Sequence, residues 1–121
     1  MSEQPRFSSR SNGAPATLVL GPFLLDESTA MLYRGTDPLP VGRRAVALLS
    51  ALAKQPGIVL SKTELIETAW PGLAVEDSNL TVQIASLRRT LASEPGGKRW
   101  IETVPRRGYR FVGPVARVAC A

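Results

Sequence analysis

The sequence predicts an α+β domain: a four-stranded antiparallel sheet first, then three helices, then a C-terminal strand hairpin. Three observations carry that order. Short apolar runs broken by turn chemistry fill residues 17–42, the pattern of short paired strands. Beyond Gly42 the apolar spacing lengthens to the helical period. The segment GGKRWIETVPRRGYRFVG, residues 96–113, then reads as two short strands meeting at a bend.

Residues 1–16 are rich in Ser, Pro, Gly and Arg and hold little beyond Phe7 to bury. Burial cannot offset the entropy of ordering them, so a disordered tail is expected. The folded domain is expected over residues 17–115, and residues 116–121 read as a tail or the start of a linker. Strands are expected at 18–20, 23–25, 30–33 and 39–41, separated by Gly-Pro, Asp-Glu-Ser-Thr and Gly-Thr-Asp-Pro. Ala45, Leu48, Leu49 and Leu52 fall at i, i+3, i+4 and i+7, one face of a first helix that stops at Gln55-Pro56-Gly57. Ile58-Val59-Leu60 is a short strand. Ser61 followed three residues later by Glu64 is a capping-box start for a second helix. That helix turns Leu65, Ile66, Ala69 and Trp70 inward and ends at Pro71-Gly72. A third helix is expected over residues 77–92. Leu80, Ile84, Leu87 and Leu91 form its buried stripe, while Asn79, Val82, Ser86 and Arg89 project from the other side, with Gln83 and Ala85 on the flanks.

At 121 residues the chain has the length of one domain. Its formal charge is +5, and residues 96–113 hold five cations against Glu102, a local +4. A purely structural hairpin gains nothing from crowding like charges, so a polyanion or anionic surface is the expected partner. The chain has no histidine and a single cysteine, Cys120. Neither an internal disulfide nor a Cys/His zinc site can be built, and no metal or cofactor is expected. No apolar run reaches the roughly 20 residues of a membrane-spanning helix, and residues 1–16 lack a secretory signal's apolar stretch. A soluble, cytoplasmic protein is the expectation. Catalysis finds no support: Asp26, Glu27, Glu64, Glu67, Glu76 and Asp77 are scattered over turns and helix starts, where capping explains them.

Two helices joined by a short loop, the second with a polar outward face and followed by a basic hairpin, form the plan of a winged helix-turn-helix. The third helix would enter the major groove of double-stranded DNA, where Asn, Gln and Arg side chains can read base edges. The hairpin, residues 100–112, would be the wing. Arg106 and Arg107 sit at its tip beside Gly108, expected to supply the positive φ of a tight bend. Arginines there suit a narrow minor groove or flanking phosphates.

VEDSNLTVQIASLRRTL followed by IETVPRRGYRF resembles the effector domain of the OmpR/PhoB family of bacterial transcription regulators, over residues 17 to about 114. The resemblance implies base or groove contact from Asn79, Val82, Gln83 and Ser86, DNA backbone contact from Arg88 and Thr103, and wing contact from Arg106 and Arg107. It also implies tandem occupancy of direct repeats, from which a free monomer that pairs on DNA is expected. Two features depart from the family: Ala85 and Ser86 stand where many members have arginines, and Pro105 stands at a wing position often basic. Fewer cations on the third helix move electrostatic work to the wing and to Arg88 and Arg89. Sixteen tail residues cannot be a receiver domain, so the chain resembles regulators whose winged helix comes first.

Several features have plainer explanations. Trp70 is expected to anchor the core, and Tyr109 and Phe111 to pack beneath the wing with Arg110 opposite. Loop 71–76, which the family implies can touch RNA polymerase, is read first as an ordinary connection. Lys98 and Arg99, beside two glycines, need touch nothing. The rival function is a winged helix used for protein–protein interaction, and a tip of two adjacent arginines argues against it.

Overall fold

The computed structural model describes residues 17–118, so the tail expected at 1–16 and residues 119–121 lie outside the described residues. Strands β1 (Thr17–Leu20), β2 (Phe23–Asp26), β3 (Met31–Arg34) and β4 (Asp37–Pro38) form an antiparallel meander. Helices α1 (Arg43–Lys54), α2 (Lys62–Ala69) and α3 (Asp77–Leu91) follow, with the two-residue strand β5 (Leu60–Ser61) before α2. β6 (Ile101–Val104) and β7 (Gly108–Phe111) make the hairpin, and β8 (Ala116–Val118) ends the described chain. The sheets are ordered β4-β3-β2-β1-β8 and β5-β7-β6.

Strand alternation builds the floor of the core: Leu18, Leu20, Phe23, Leu25 and Leu32 all point inward, essentially without exposure. α1 lays Ala45, Leu48, Leu49 and Leu52 against them. Leu65 of α2 and Leu80, Ile84, Leu87 and Leu91 of α3 complete one continuous core, the stripes that the spacing predicted. Ser50 is buried on α1 and donates to the Glu27 carboxylate, which also holds the Lys54 ammonium at 2.7 Å. This ties the β2–β3 turn to the helix layer. α2 begins with the predicted capping box, Glu64 N to Ser61 Oγ at 3.0 Å and Ser61 N to Glu64 Oε1 at 2.8 Å.

Three boundaries differ from expectation. Residues 116–118, expected to be tail or linker, pair with β1 and make the first sheet five-stranded, giving that strand's outer edge a partner. The fourth strand forms at 37–38, before the apolar run at 39–41. The turn at Gly35, φ 65°, sets Asp37 opposite Arg34 and Pro38 opposite Tyr33. The strand expected at 58–60 is Leu60–Ser61, because Ser61 pairs with Gly108 while it caps α2.

Trp100 joins the two sheets. Its ring meets Phe23 edge-on at 5.9 Å and Phe111 edge-on at 6.3 Å between centroids. Gly21 and Gly113 flank it so closely that a Cβ at Gly21 would come within 2.9 Å of the ring, and one at Gly113 would collide with it.

Candidate nucleic-acid interface

α3 is fixed from beneath by its four buried aliphatics, so its other side is presented as a rigid surface. Asn79, Val82, Ala85 and Arg89 are exposed there, and Gln83 and Ser86 are half-buried at its margins. Val82 is 62% exposed, the highest of the large apolar residues left on the surface among the described residues. Lys62 at the start of α2 lies 3.9 Å from Asp77 at the start of α3, an exposed pair that contributes little to stability.

The wing turn is closed by Arg107 N donating to Val104 O at 3.0 Å. Pro105 occupies the first central position, where its fixed φ suits a type II turn, and Arg106 the second, with φ 66°. That position usually takes Gly or Asn, and an arginine there costs about 1 kcal/mol. The positive φ expected of Gly108 at the tip is therefore also borne by Arg106. Gly108, φ 147°, does a second job: a Cβ there would collide with the Leu60 carbonyl, so its absence lets β5 pair with β7. Arg106 and Arg107 are exposed and make no ion pair or side-chain hydrogen bond among the described residues.

The other hairpin cations divide. Arg110 pairs with Glu102, its cross-strand partner, so one of the five charges is neutralised within the wing. Lys98 and Arg99 are exposed on a single 3₁₀ turn, Gly97–Arg99. Tyr109 and Phe111 pack beneath the wing as expected, with Arg110 opposite.

Arg88 is the residue whose setting the sequence did not reveal. Its guanidinium donates to Ile101 O through Nε at 3.2 Å and Nη2 at 2.7 Å, and to Thr103 Oγ1 at 2.8 Å. It also lies 5.9 Å from the Tyr109 ring centroid. Arg88 and Thr103, both assigned to the DNA backbone by resemblance, are brought together here as a clamp between α3 and the wing. Thr103 and Tyr109, paired across the hairpin, are the sequence signal that could have suggested a partner for it.

Elsewhere, Arg44 stacks 5.6 Å over the Trp70 ring and donates to Ala69 O at 3.4 Å, and Trp70 is 7% exposed, a core anchor as expected. Loop 71–76 exposes Leu73. The Ser28 hydroxyl holds the Asp26 carboxyl below its ordinary range, in the β2–β3 turn and not on α3 or the wing. Among the described residues there is no cluster of His, Cys, Asp and Glu able to hold a metal ion, and no helix long and apolar enough to cross a membrane.

Comparison with known proteins gives this geometry a context. The family described as transcriptional regulatory protein, C terminal, matches residues 36–111. The cholera toxin homolog transcriptional activator of Vibrio parahaemolyticus is 34% identical over 94 residues, 76% of this chain and 32% of that protein, so the chain spans about a third of that relative. The DNA binding domain of Escherichia coli CadC is 31% identical and superposes with a TM-score of 0.74, over 85% of this chain and 97% of that one. The DNA binding domain of CpxR from E. coli is 27% identical with a TM-score of 0.69, over 79% and 95%. With its family match, its two sheets around three helices and its exposed third helix beside a basic hairpin, the chain belongs to the OmpR/PhoB-type family of transcription-regulator DNA-binding domains.

Proposed function

We propose that this domain binds double-stranded DNA sequence-specifically, with the outward face of α3 in the major groove and the wing tip at the minor groove or its flanking phosphates. The observation that supports this most is the pair Arg106 and Arg107: two uncompensated cations on a strained turn beside an exposed, polar helix face. A fold seeking only stability has no use for arginine at that φ. Asn79, Val82, Gln83 and Ser86 meet base edges, Arg89 a phosphate at the end of α3, and Arg106 and Arg107 the groove wall. Arg88 holds the wing at its angle to α3, with one guanidinium nitrogen left over for the backbone.

A module of this size reads only a few base pairs, so useful discrimination needs two copies on adjacent repeats, about one helical turn apart. The free domain is then a monomer. The exposed Leu73 loop is available to RNA polymerase on the same DNA.

Titrating a labelled duplex at several salt concentrations tests the central claim. Engagement of about four to eight phosphates gives a slope of log K against log salt of roughly −4 to −7. Binding indifferent to salt would overturn the proposal and favour a protein-interaction module.

A further inference from the structure

We infer that the reading surface of α3 is built for A·T base pairs, with the thymine methyl group as a recognised feature and no guanine contact from the helix centre. This rests on the proposed placement of α3 in the major groove.

Guanine is distinguished in the major groove chiefly by a bidentate Arg or Lys on O6 and N7. Between Asp77 and Leu87, α3 carries neither residue type. Of the two arginines that follow, Arg88 is turned away to Ile101 O and Thr103 Oγ1. Arg89 lies seven residues beyond Val82, about 10 Å further along the axis. That distance carries it past the bases met by the first turns and toward the backbone.

What remains on the outward face is two carboxamides, aliphatic carbon and the half-buried Ser86 hydroxyl, which can pair with any base and so does not select guanine. Asn79 and Gln83 are one helical turn apart, and carboxamides pair bidentately with adenine N6 and N7. Val82 lies between them in sequence and is 62% exposed, with Ala85 exposed one turn on. An isopropyl group left in water contributes nothing to this fold. The major-groove feature that matches it is the C5 methyl of thymine, the one apolar group on a base edge. Adenine-reading amides and a methyl-reading valine on adjacent positions describe the two halves of the same base pair.

The intact domain tests this in two steps. Duplexes are first selected from a random-sequence library. In the selected site, each thymidine is then replaced by deoxyuridine, which removes only the methyl group, or each guanosine by 7-deazaguanosine, which removes only N7. At one or two adjoining positions deoxyuridine should weaken binding by roughly threefold to fivefold, the scale of one methyl group's burial. Val82→Ala, an exposed position where folding is preserved, should bind the two duplexes equally. Affinity unchanged by deoxyuridine, or lost with 7-deazaguanosine in a way that Arg89→Ala abolishes, would overturn the inference while leaving DNA binding intact. Failure to retain any duplex, selected or random, would instead overturn the reading beneath it.

Discussion

α3 and the wing lie side by side yet differ in how charge and rigidity are arranged. α3 turns outward a surface without a cation between Asp77 and Leu87, on a helix locked by four buried aliphatics. The wing carries Arg106 and Arg107 on a two-stranded projection whose tip is strained. An uncharged surface cannot attract DNA from a distance, but its contacts depend on which base is present. A charged tip attracts every sequence alike. In the proposed binding mode, discrimination and attraction fall to different elements, and Arg88 is the joint that fixes one relative to the other.

Removing the tip charges breaks the comparison most directly. Arg106→Ala with Arg107→Ala should cost about 3 kcal/mol or more on any duplex, at 1.5–3 kcal/mol for each charge-assisted contact. It should also flatten the salt slope by about 2. Fluorescence anisotropy on specific and random DNA would show equal losses. Asn79→Ala or Gln83→Ala should instead lower discrimination by about 1–3 kcal/mol and leave random-DNA binding and the salt slope unchanged. If both sets of variants lost affinity equally on both kinds of DNA, the division of labour would be wrong.

The joint can be tested by its coupling. Arg88→Lys keeps the charge but loses the forked grip on Ile101 O and Thr103. A double-mutant cycle of this change with the tip double mutant should show a coupling of about 1 kcal/mol, because a released wing no longer places its arginines. Purely additive losses would mean that Arg88 acts as an independent phosphate contact. Hydrogen exchange across β6 and β7 in the free protein should rise in the same variant.

Arg106→Gly sharpens the contrast between holding and stability. Relief of the positive φ should raise stability by up to about 1 kcal/mol in urea melts, while affinity for all DNA falls. The smallest effect belongs to Asp26, far in role from both elements. Its carboxyl is held low by the Ser28 hydroxyl, so its contribution is present above the unfolded carboxylate pKa, about 4, and is lost as pH falls through the lower folded value. Asp26→Asn should soften that acid limb of the stability profile slightly and leave DNA affinity at neutral pH unchanged.

The stripes of α1 and α3, the capping box and the wing were legible because each is a local pattern: spacing, a cap three residues from its partner, a bend between strands. Features decided by distant partners were not. β8 is three residues whose pairing with β1 joins chain segments nearly a hundred residues apart, and no local signal announces that. Trp100 sits within the wing segment, but its role in bridging Phe23 and Phe111 depends on both sheets being in place. Of the candidate interface, the outward residues of α3 and the tip arginines followed from periodicity and the turn. Arg88 stands at the edge of the α3 stripe, where spacing alone leaves its direction open. Arg106's positive φ was not legible, because Pro105 at the first central position suits type I and type II turns alike and Gly108 was the more obvious signal.

The register of β8 on β1 also has a mechanical consequence. Thr17 and Val118 are direct partners, so tension applied between them meets the strand pair at its end and loads the hydrogen bonds one after another. Strands loaded in this way peel open like a zipper at low force, whereas strands pulled along their length resist together. β8 would come away first, leaving α3, Trp100 and the wing in their places. A pull between these two residues is absorbed at the edge of the first sheet before it reaches α3 and the wing.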